Sequence, residues 1–450
     1  MAAKRKQWAA EPLTVRIEDL THEGRGVARR DGKAVFVEGA LPGEEVRCVY
    51  TIRRSRRDEA RVLEVLERSP ERVEPRCAHF AICGGCALQH LEPAAQVALK
   101  QRWLLDNLIH IGKVQPEQVL EPLLGPIWGY RRRARLGVKW VAKKDRVLVG
   151  FRERHSAFVA DLRRCEVLDE RVGGLLEELA RLIEGLSIRD RIPQIEVAGG
   201  DTVMSLNFRV LVPPSETDRE RLREFGERHG LTLYLQPGGP ESIQPLDRPS
   251  SPAPLPQGTR EDLSYRLESG LELTFEPDHF VQINAAINRQ LVERVSELLA
   301  IGPQDRVLDL FCGLGNFTLA LAGRAREAVG IEGDGRLVEQ ARRNAARNGI
   351  DNAVFQVADL AGELTGQPWL DGGYDQVLLD PPRSGALELM PRVAALGARK
   401  IVYVSCHPAT LARDVGVLVH QFGYRLASAG VLDMFPHTAH VESLAVLVPL

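Results

Sequence analysis

The chain has 450 residues, 44% of them hydrophobic and 27% charged, with a net charge of −2. That composition excludes a disordered or fibrous chain and leaves enough core for two or three domains. No apolar run is long enough to cross a membrane, and the basic start (MAAKRKQW) has no apolar stretch behind it, so neither a spanning helix nor a secretory signal is expected and the chain reads as cytoplasmic.

Residues 10–68 alternate apolar and polar side chains in short runs, as strands do. Residues 13–17 form a first strand, Asp31-Gly32 a hairpin turn before 34–37, and Leu41-Pro42-Gly43-Glu44 a turn before 46–52. With 60–66, this makes about five strands and predicts a small barrel of the oligonucleotide-binding kind. Arg53, Arg54, Arg56 and Arg57 lie in its last loop. A charge run is ordinarily solvated surface, but on so small a barrel it also suits phosphate. The run from Asp19 to Ala28, together with Leu41-Pro42-Gly43-Glu44, resembles the TRAM domain, an RNA-binding barrel.

Residues 69–266 read as a middle domain. Cys77, Cys83 and Cys86 fall within ten residues, with Gly84-Gly85 between the last two, and Cys165 follows about eighty residues on. In a reducing compartment such spacing suits metal or catalytic chemistry better than disulfides. Three thiolates can surround one ion if the loop turns tightly, and the residue types permit zinc, the commoner structural choice, or an iron–sulfur cluster. Taken alone, Cys165 has a packed core residue as its lesser reading. Between 131 and 164, twelve lysines and arginines face only Asp145, Glu153 and Asp161, with Trp140, Phe151 and Phe158 interleaved. Alternation over 134–141 and 147–152 predicts strands with one basic face, an RNA-binding groove rather than a merely solvated sheet. Residues 171–186 read as one amphipathic helix, and the proline-rich stretch 237–256 as a linker.

Residues 267–450 read as an α/β domain. The strand 306–311 runs into Cys312-Gly313-Leu314-Gly315-Asn316 and a helix from Phe317, and the next strand ends at Glu332, seventeen positions after Gly315. An acid there suits ribose hydroxyls. Thr318 stands where a dinucleotide fingerprint has its third glycine, so S-adenosylmethionine fits better than NAD. Asp359 ends the following strand, beside the adenine, and Asp380-Pro381-Pro382-Arg383 the one after. The strand 401–404 ends at Cys406, followed by a helix over 409–415 whose positive N-terminal end favours a thiolate. In isolation a cysteine such as Cys406 is more often a core residue than a nucleophile. Four successive strands ending in polar chemistry predict one site at their carboxyl ends. Glu442, at the start of the last strand, is then a general-base candidate rather than an edge carboxylate.

Phe280-x-Gln282-x-Asn284, Asp309 to Asn316, Asp380 to Arg383, Ser405-Cys406-x-Pro408-x-Thr410 to Asp414 and His440-Val441-Glu442 together resemble the RNA uracil-5 methyltransferase family. With the TRAM-like barrel and the cysteine-rich middle, the chain is similar to the bacterial 23S ribosomal RNA (uracil-5-)-methyltransferases of the RumA type. The resemblance implies a multidomain α/β protein: an OB-like TRAM barrel, an α+β middle domain with a [4Fe–4S] cluster on Cys77, Cys83, Cys86 and Cys165, and a Rossmann-like methyltransferase domain. It implies S-adenosylmethionine contacts from Gln282, Phe311, Asn316, Glu332, Asp359 and Asp380, with Cys406 as nucleophile and Glu442 as base. The implied partner is 23S ribosomal RNA, presented as a flipped or single-stranded uridine to a monomeric enzyme without membrane association. His407 departs from the family pattern, which has asparagine after the nucleophile. The rivals are the same chemistry on tRNA or on a second ribosomal site, a non-catalytic cluster-bearing RNA-binding protein, and an amino-methylating enzyme. The last would need a polar-aromatic motif where Arg383 follows the two prolines.

Overall fold

In a computed structural model, which describes residues 11–246, 262–362, 364 and 366–450, the alternation of the first segment becomes a six-stranded sheet. Its strands are β1 (Leu13–Arg16), β2 (Asp19–Leu20), β3 (Gly26–Arg30), β4 (Lys33–Glu38), β5 (Glu45–Arg53) and β6 (Arg57–Glu67), in the order β1-β5-β6-β4-β3-β2. The strand beyond the expected five is the two-residue β2, too short to leave a periodic signal. Asp31 and Gly32 take φ of 51° and 77°, the left-handed pair a two-residue hairpin requires. Val15, Val35, Val37, Val46 and Cys48 face inward, which makes Cys48 a core thiol. Glu44 is fully buried and accepts from Arg72 Nε and Nη2 and from the Leu41 amide. Burial works against its charge, but these hydrogen bonds hold the carboxyl below its ordinary range.

The described residues divide into two compact units. The sheet belongs to the first, which takes in the chain up to Ala81, Gly85–Trp103 and Phe435–His440. Helix α1 (Pro93–Asn107) follows in chain order. Within this unit its Gln96 accepts from the His437 amide at 2.8 Å and its buried Lys100 donates to the Phe435 carbonyl at 2.9 Å.

The second unit comprises Ile82–Gly84, Leu104–Met434 and Val441–Leu450. After β7 (Gln118–Val119) come β8 (Arg133–Val141), β9 (Arg146–Gly150), β10 (Gln194–Gly199), β11 (Met204–Arg209), β12 (Leu231–Gln236) and β13 (Gln244–Pro245), and the last six form a sheet ordered β13-β12-β11-β10-β8-β9. Along β8, Ala134, Leu136 and Val138 are buried while Arg135 and Lys139 are exposed, the basic face expected from the alternation. The single helix expected over 171–186 is two, α2 (Glu170–Gly173) and α3 (Leu176–Glu184), because Gly173-Gly174 ends the first. α4 (Glu216–His229) completes this layer. Of the expected linker, 240–245 contain a short 3-10 turn and β13, and 247–256 lie outside the described residues.

A two-stranded ribbon, β14 (Ser264–Arg266) and β15 (Glu272–Thr274), leads into α5 (Ala285–Leu299). The last sheet then takes β16 (Arg306–Leu310), β17 (Glu327–Glu332), β18 (Ala353–Val357), β19 (Gln376–Leu379), β20 (Lys400–Ser405), β21 (Tyr424–Leu432) and β22 (Glu442–Pro449), in the order β18-β17-β16-β19-β20-β22-β21-β7. β16 to β20 run parallel, and β22 lies antiparallel between β20 and β21. The interleaved helices are α6 (Thr318–Ala322), α7 (Gly335–Arg347), α8 (Met390–Ala395) and α9 (Pro408–Phe422). Strand order reverses between β16 and β19, so a crevice opens at their carboxyl ends, where such folds bind ligands.

Candidate active site

The end of β16 carries backbone strain. Phe311 has φ of 68°, a left-handed conformation that costs a bulky residue roughly 1–3 kcal/mol and recurs at functional sites. Its amide and that of Cys312 both donate to the Ile331 carbonyl, at 2.9 and 3.1 Å, which ties the kink to β17. Glu332, at the end of β17, accepts from the amides of Gly313 (3.1 Å), Gly333 (2.7 Å) and Asp334 (3.0 Å). The glycine turn and the acid are therefore one piece. Asn316 exchanges hydrogen bonds with Asn288 of α5 at 2.9 and 3.0 Å and accepts from the Tyr265 hydroxyl at 2.9 Å. Gln282 is half-buried, and Asp359 is exposed at the end of its strand. Asn284 caps α5 through the Ile287 amide, so the asparagine of Phe-x-Gln-x-Asn is a structural residue.

Two carboxyls lie deeper. Burial lifts Asp380 to about 7, although part of the residue stays accessible. Asp309 is 1% exposed and accepts from the Thr318 hydroxyl at 2.5 Å. Burial raises it to about 7 as well; the Thr318 hydrogen bond opposes this, and Asp380 and Glu332 add to it. Thr318, which breaks the dinucleotide fingerprint, thus spends its hydroxyl on the acid of the preceding strand. Cys312 is buried, and its thiol is pushed far up by burial, then by Asp309 and Glu332, as befits a packing residue.

The ladder between β20 and β22 brings the remaining pair together. Ser405, the last residue of β20, is paired with Ser443 of β22, and the next residue, Cys406, lies within the electrostatic reach of Glu442, the first residue of β22. Cys406 is partly accessible, and Glu442 is 3% exposed. Burial raises the thiol to about 11, with Glu442 and Asp380 adding to the effect and Arg383 opposing it. Burial also pushes Glu442 well above the carboxylate range, helped by Asp380 and opposed by Arg383. The expectation that the α9 N-terminus favours a thiolate is therefore not met. Pro408 has no amide proton to offer, and the Thr410 amide is taken by His407 Nδ1 at 3.4 Å. His407 is the N-cap of α9. It occupies a position that favours Asn, Asp or Ser, and its acceptor nitrogen must be unprotonated to fill it.

A buried acid, the last residue of the Ser405 to Asp414 motif, holds the Asp-Pro-Pro-Arg loop to α9. Asp414, fully buried, accepts from the Ala386 amide and the Tyr403 hydroxyl, both at 2.7 Å, and from Arg413. Arg413 also donates to the Ser384 carbonyl at 2.9 Å, and the Thr410 hydroxyl to that of Arg383 at 3.2 Å. Gly385, at φ of 75°, lies so close that a Cβ would fall 2.5 Å from an Asp414 oxygen. Thr410, Arg413 and Asp414 therefore fix the loop that ends in Arg383, and the motif's own spacing was the available signal.

Cys77 and Cys86 belong to the first unit, Cys83 and Cys165 to the second, and all four are partly accessible. The Cys77 amide donates to Gln89, and the Cys83 carbonyl accepts from Arg154. Among the described residues, no group of three or more His, Cys, Asp or Glu is placed to hold a metal ion. Nor is any described helix long and apolar enough to cross a membrane.

Residues 267–449 match the tRNA (Uracil-5-)-methyltransferase family and residues 11–49 the TRAM domain. A 23S rRNA (uracil(1939)-C(5))-methyltransferase RlmD of Alkalilimnicola ehrlichii is 57% identical over 99% of this chain and 98% of its own length. The chain belongs to the RlmD family of uracil-C5 methyltransferases. The RlmD of Nitrosococcus oceani is 55% identical over 98% of this chain and 97% of that protein. Among solved structures, the Pyrococcus abyssi tRNA (uracil-54, C5)-methyltransferase, in complex with S-adenosyl-L-homocysteine, superposes with a TM-score of 0.72 at 27% identity. It covers 97% of this chain and 99% of that one. The chain is thus an S-adenosylmethionine-dependent methyltransferase with an N-terminal TRAM domain and a Rossmann-like catalytic fold.

Proposed function

We propose that this enzyme methylates carbon 5 of one uridine in 23S ribosomal RNA, the position equivalent to uracil 1939 in the RlmD relatives, through a covalent adduct on Cys406. The observation that supports the mechanism is that the partly accessible Cys406 thiol lies within the field of two carboxyls raised by burial, Glu442 and Asp380, at the strand ends of the proposed cofactor crevice. Carbon 5 of uracil is a poor nucleophile. Addition of the Cys406 sulfur to carbon 6 makes an enolate, whose carbon 5 takes the methyl group from the sulfonium and leaves S-adenosylhomocysteine. Glu442 then removes the carbon-5 proton, the carbon 6–sulfur bond breaks, and the thiolate returns. A carboxyl whose basicity burial has raised suits that step. The base must be approached on both faces, so the uridine is flipped out or already single-stranded. Gln282, Phe311, Asn316, Glu332, Asp359 and Asp380 are the proposed cofactor contacts.

The four cysteines at 77, 83, 86 and 165 are proposed to hold a [4Fe–4S] cluster, supported by the donor chemistry of three thiols around Gly84-Gly85 and a fourth beyond. No catalytic step runs through it. Anaerobic purification should give a brown protein with iron and sulfide in equal amounts, and a colourless zinc protein would remove the cluster. The enzyme is further proposed to act as a cytoplasmic monomer.

The deciding experiment uses ribosomal RNA with 5-fluorouridine at the target. A methylated covalent complex should form on Cys406, because fluorine cannot leave as a proton does. A complex that persists in Cys406→Ala would sink the mechanism. With native RNA, Glu442→Gln should accumulate the adduct, and unimpaired turnover would remove Glu442 as the base.

A further inference from the structure

Arg132 is 3% exposed, and its two terminal nitrogens are buried without a hydrogen-bond acceptor among the described residues. A buried cation is costly, and an apolar side chain of similar volume would fill the space at less expense. What compensates it is the Tyr265 ring, whose centroid lies 4.5 Å from the guanidinium carbon. The hydroxyl of that tyrosine is used elsewhere, donating to Asn316 Oδ1 at 2.9 Å. Meanwhile Arg132 Nε donates to the Gln282 carbonyl at 2.9 Å and its amide to the Ile283 carbonyl at 3.0 Å. Its neighbour Arg133, the first residue of β8, donates to the Pro277 and Asp278 carbonyls, both at 2.8 Å. The loop that carries Gln282 is therefore gripped along its length by two consecutive arginines at the root of the basic strand.

We propose that Arg132 and Tyr265 form a stacked pair that positions Gln282 and Asn316 for S-adenosylmethionine, as positioning residues outside the reacting centre. The inference rests on the reading of Gln282 and Asn316 as cofactor contacts. Each member of the pair reaches one of them, Arg132 through the backbone of Gln282 and Tyr265 through the side chain of Asn316. Because Arg132 immediately precedes the basic strand and Arg133 begins it, the cofactor loop is anchored in the sheet proposed to bind RNA, not in its own domain alone.

Tyr265→Phe tests this cleanly, since it keeps the ring over Arg132 and deletes only the hydrogen bond to Asn316. In the full-length protein, S-adenosylhomocysteine affinity by calorimetry should fall about five- to tenfold, the worth of one such bond. The KM for S-adenosylmethionine should rise to match, with kcat at saturating cofactor and the KM for RNA unchanged. Arg132→Lys should give the same split more severely. Asn316→Ala serves as the reference. If Asn316→Ala weakens S-adenosylhomocysteine binding and Tyr265→Phe does not, the positioning role is overturned while the cofactor site stands. If Asn316→Ala binds like the parent, the cofactor reading of Asn316 fails and takes this inference with it.

Discussion

Burial, then Glu442 and Asp380, push the Cys406 thiol up to about 11, so at neutral pH the thiol is held mainly in its protonated form. Arg383 is the group that pulls in the other direction, on both the thiol and Glu442. Arg383→Gln should move the thiol titration higher still and slow iodoacetamide modification of Cys406 at pH 9, followed on its own peptide by mass spectrometry. An equal or faster rate would show that Arg383 does not act on the thiol. Asp309 gives a second test of the crevice's electrostatics. Its carboxyl is raised to about 7, above its unfolded value, so the folded state binds the extra proton between about 4 and 7 and the group costs stability as pH rises through that window. Asp309→Asn, which can still accept from Thr318, should therefore gain stability relative to the parent between pH 4 and 7 and level off above. A gap in denaturation midpoints that shrinks over the same range would contradict the sign. His407, the one departure from the family pattern, needs no catalytic explanation, because capping α9 through Thr410 is work an asparagine does equally well. His407→Asn should leave the unfolding midpoint unchanged, whereas His407→Ala should lose about 1 kcal/mol.

α9 does more than follow the nucleophile, since its second turn locks the Arg383 loop in place. Asp414→Ala would strand the Ala386 amide and the Tyr403 hydroxyl inside the protein, at a cost of about 2–4 kcal/mol by chemical denaturation. Tyr403→Phe deletes one donor and should cost about 1 kcal/mol. Equal losses from the two would mean that the amide contact contributes nothing. This clamp also explains what could and could not be read in advance. The strands ending at Glu332, Asp380 and Cys406 were legible because apolar runs stop at polar residues, and Asp31-Gly32 because only left-handed backbone closes that turn. The approach of Glu442 to Cys406 was not, because it depends on β22 entering antiparallel beside β20, a long-range pairing with no local signature. Nor was the break at Gly173-Gly174, hidden within a continuous amphipathic period. The strain at Phe311 and the burial of Arg132 escaped for a different reason. Propensity argues against both, and only tertiary contacts hold them.

At the scale of the whole chain, a net charge of −2 gives no general attraction to RNA, so binding must come from charge segregated onto one surface. The second unit carries such a surface. Arg135, Lys139, Lys143 and Arg164 are exposed, on or near a sheet whose other face is packed with Leu136, Val138, Val147 and Val149. Arg135 is partly neutralised by Glu196 at 2.9 Å, and Arg164 by Glu166 at 2.7 Å, whereas neither Lys139 nor Lys143 has an ion pair recorded among the described residues. Those two lysines are therefore the better phosphate ligands, because an arginine already paired must give up its carboxylate before it gains a phosphate. Each lysine that meets a phosphate releases counterions, which steepens the fall of affinity with salt by about 0.7 in the log–log slope for single strands. Lys139→Gln and Lys143→Gln should each weaken RNA binding, flatten that slope by about this amount, and leave S-adenosylhomocysteine affinity untouched. Arg135→Gln should flatten it less, because it also frees Glu196. A slope unchanged by the lysine substitutions would move the RNA footprint off this sheet and onto the arginines of the TRAM domain, where Arg53→Gln with Arg54→Gln would then carry the whole effect.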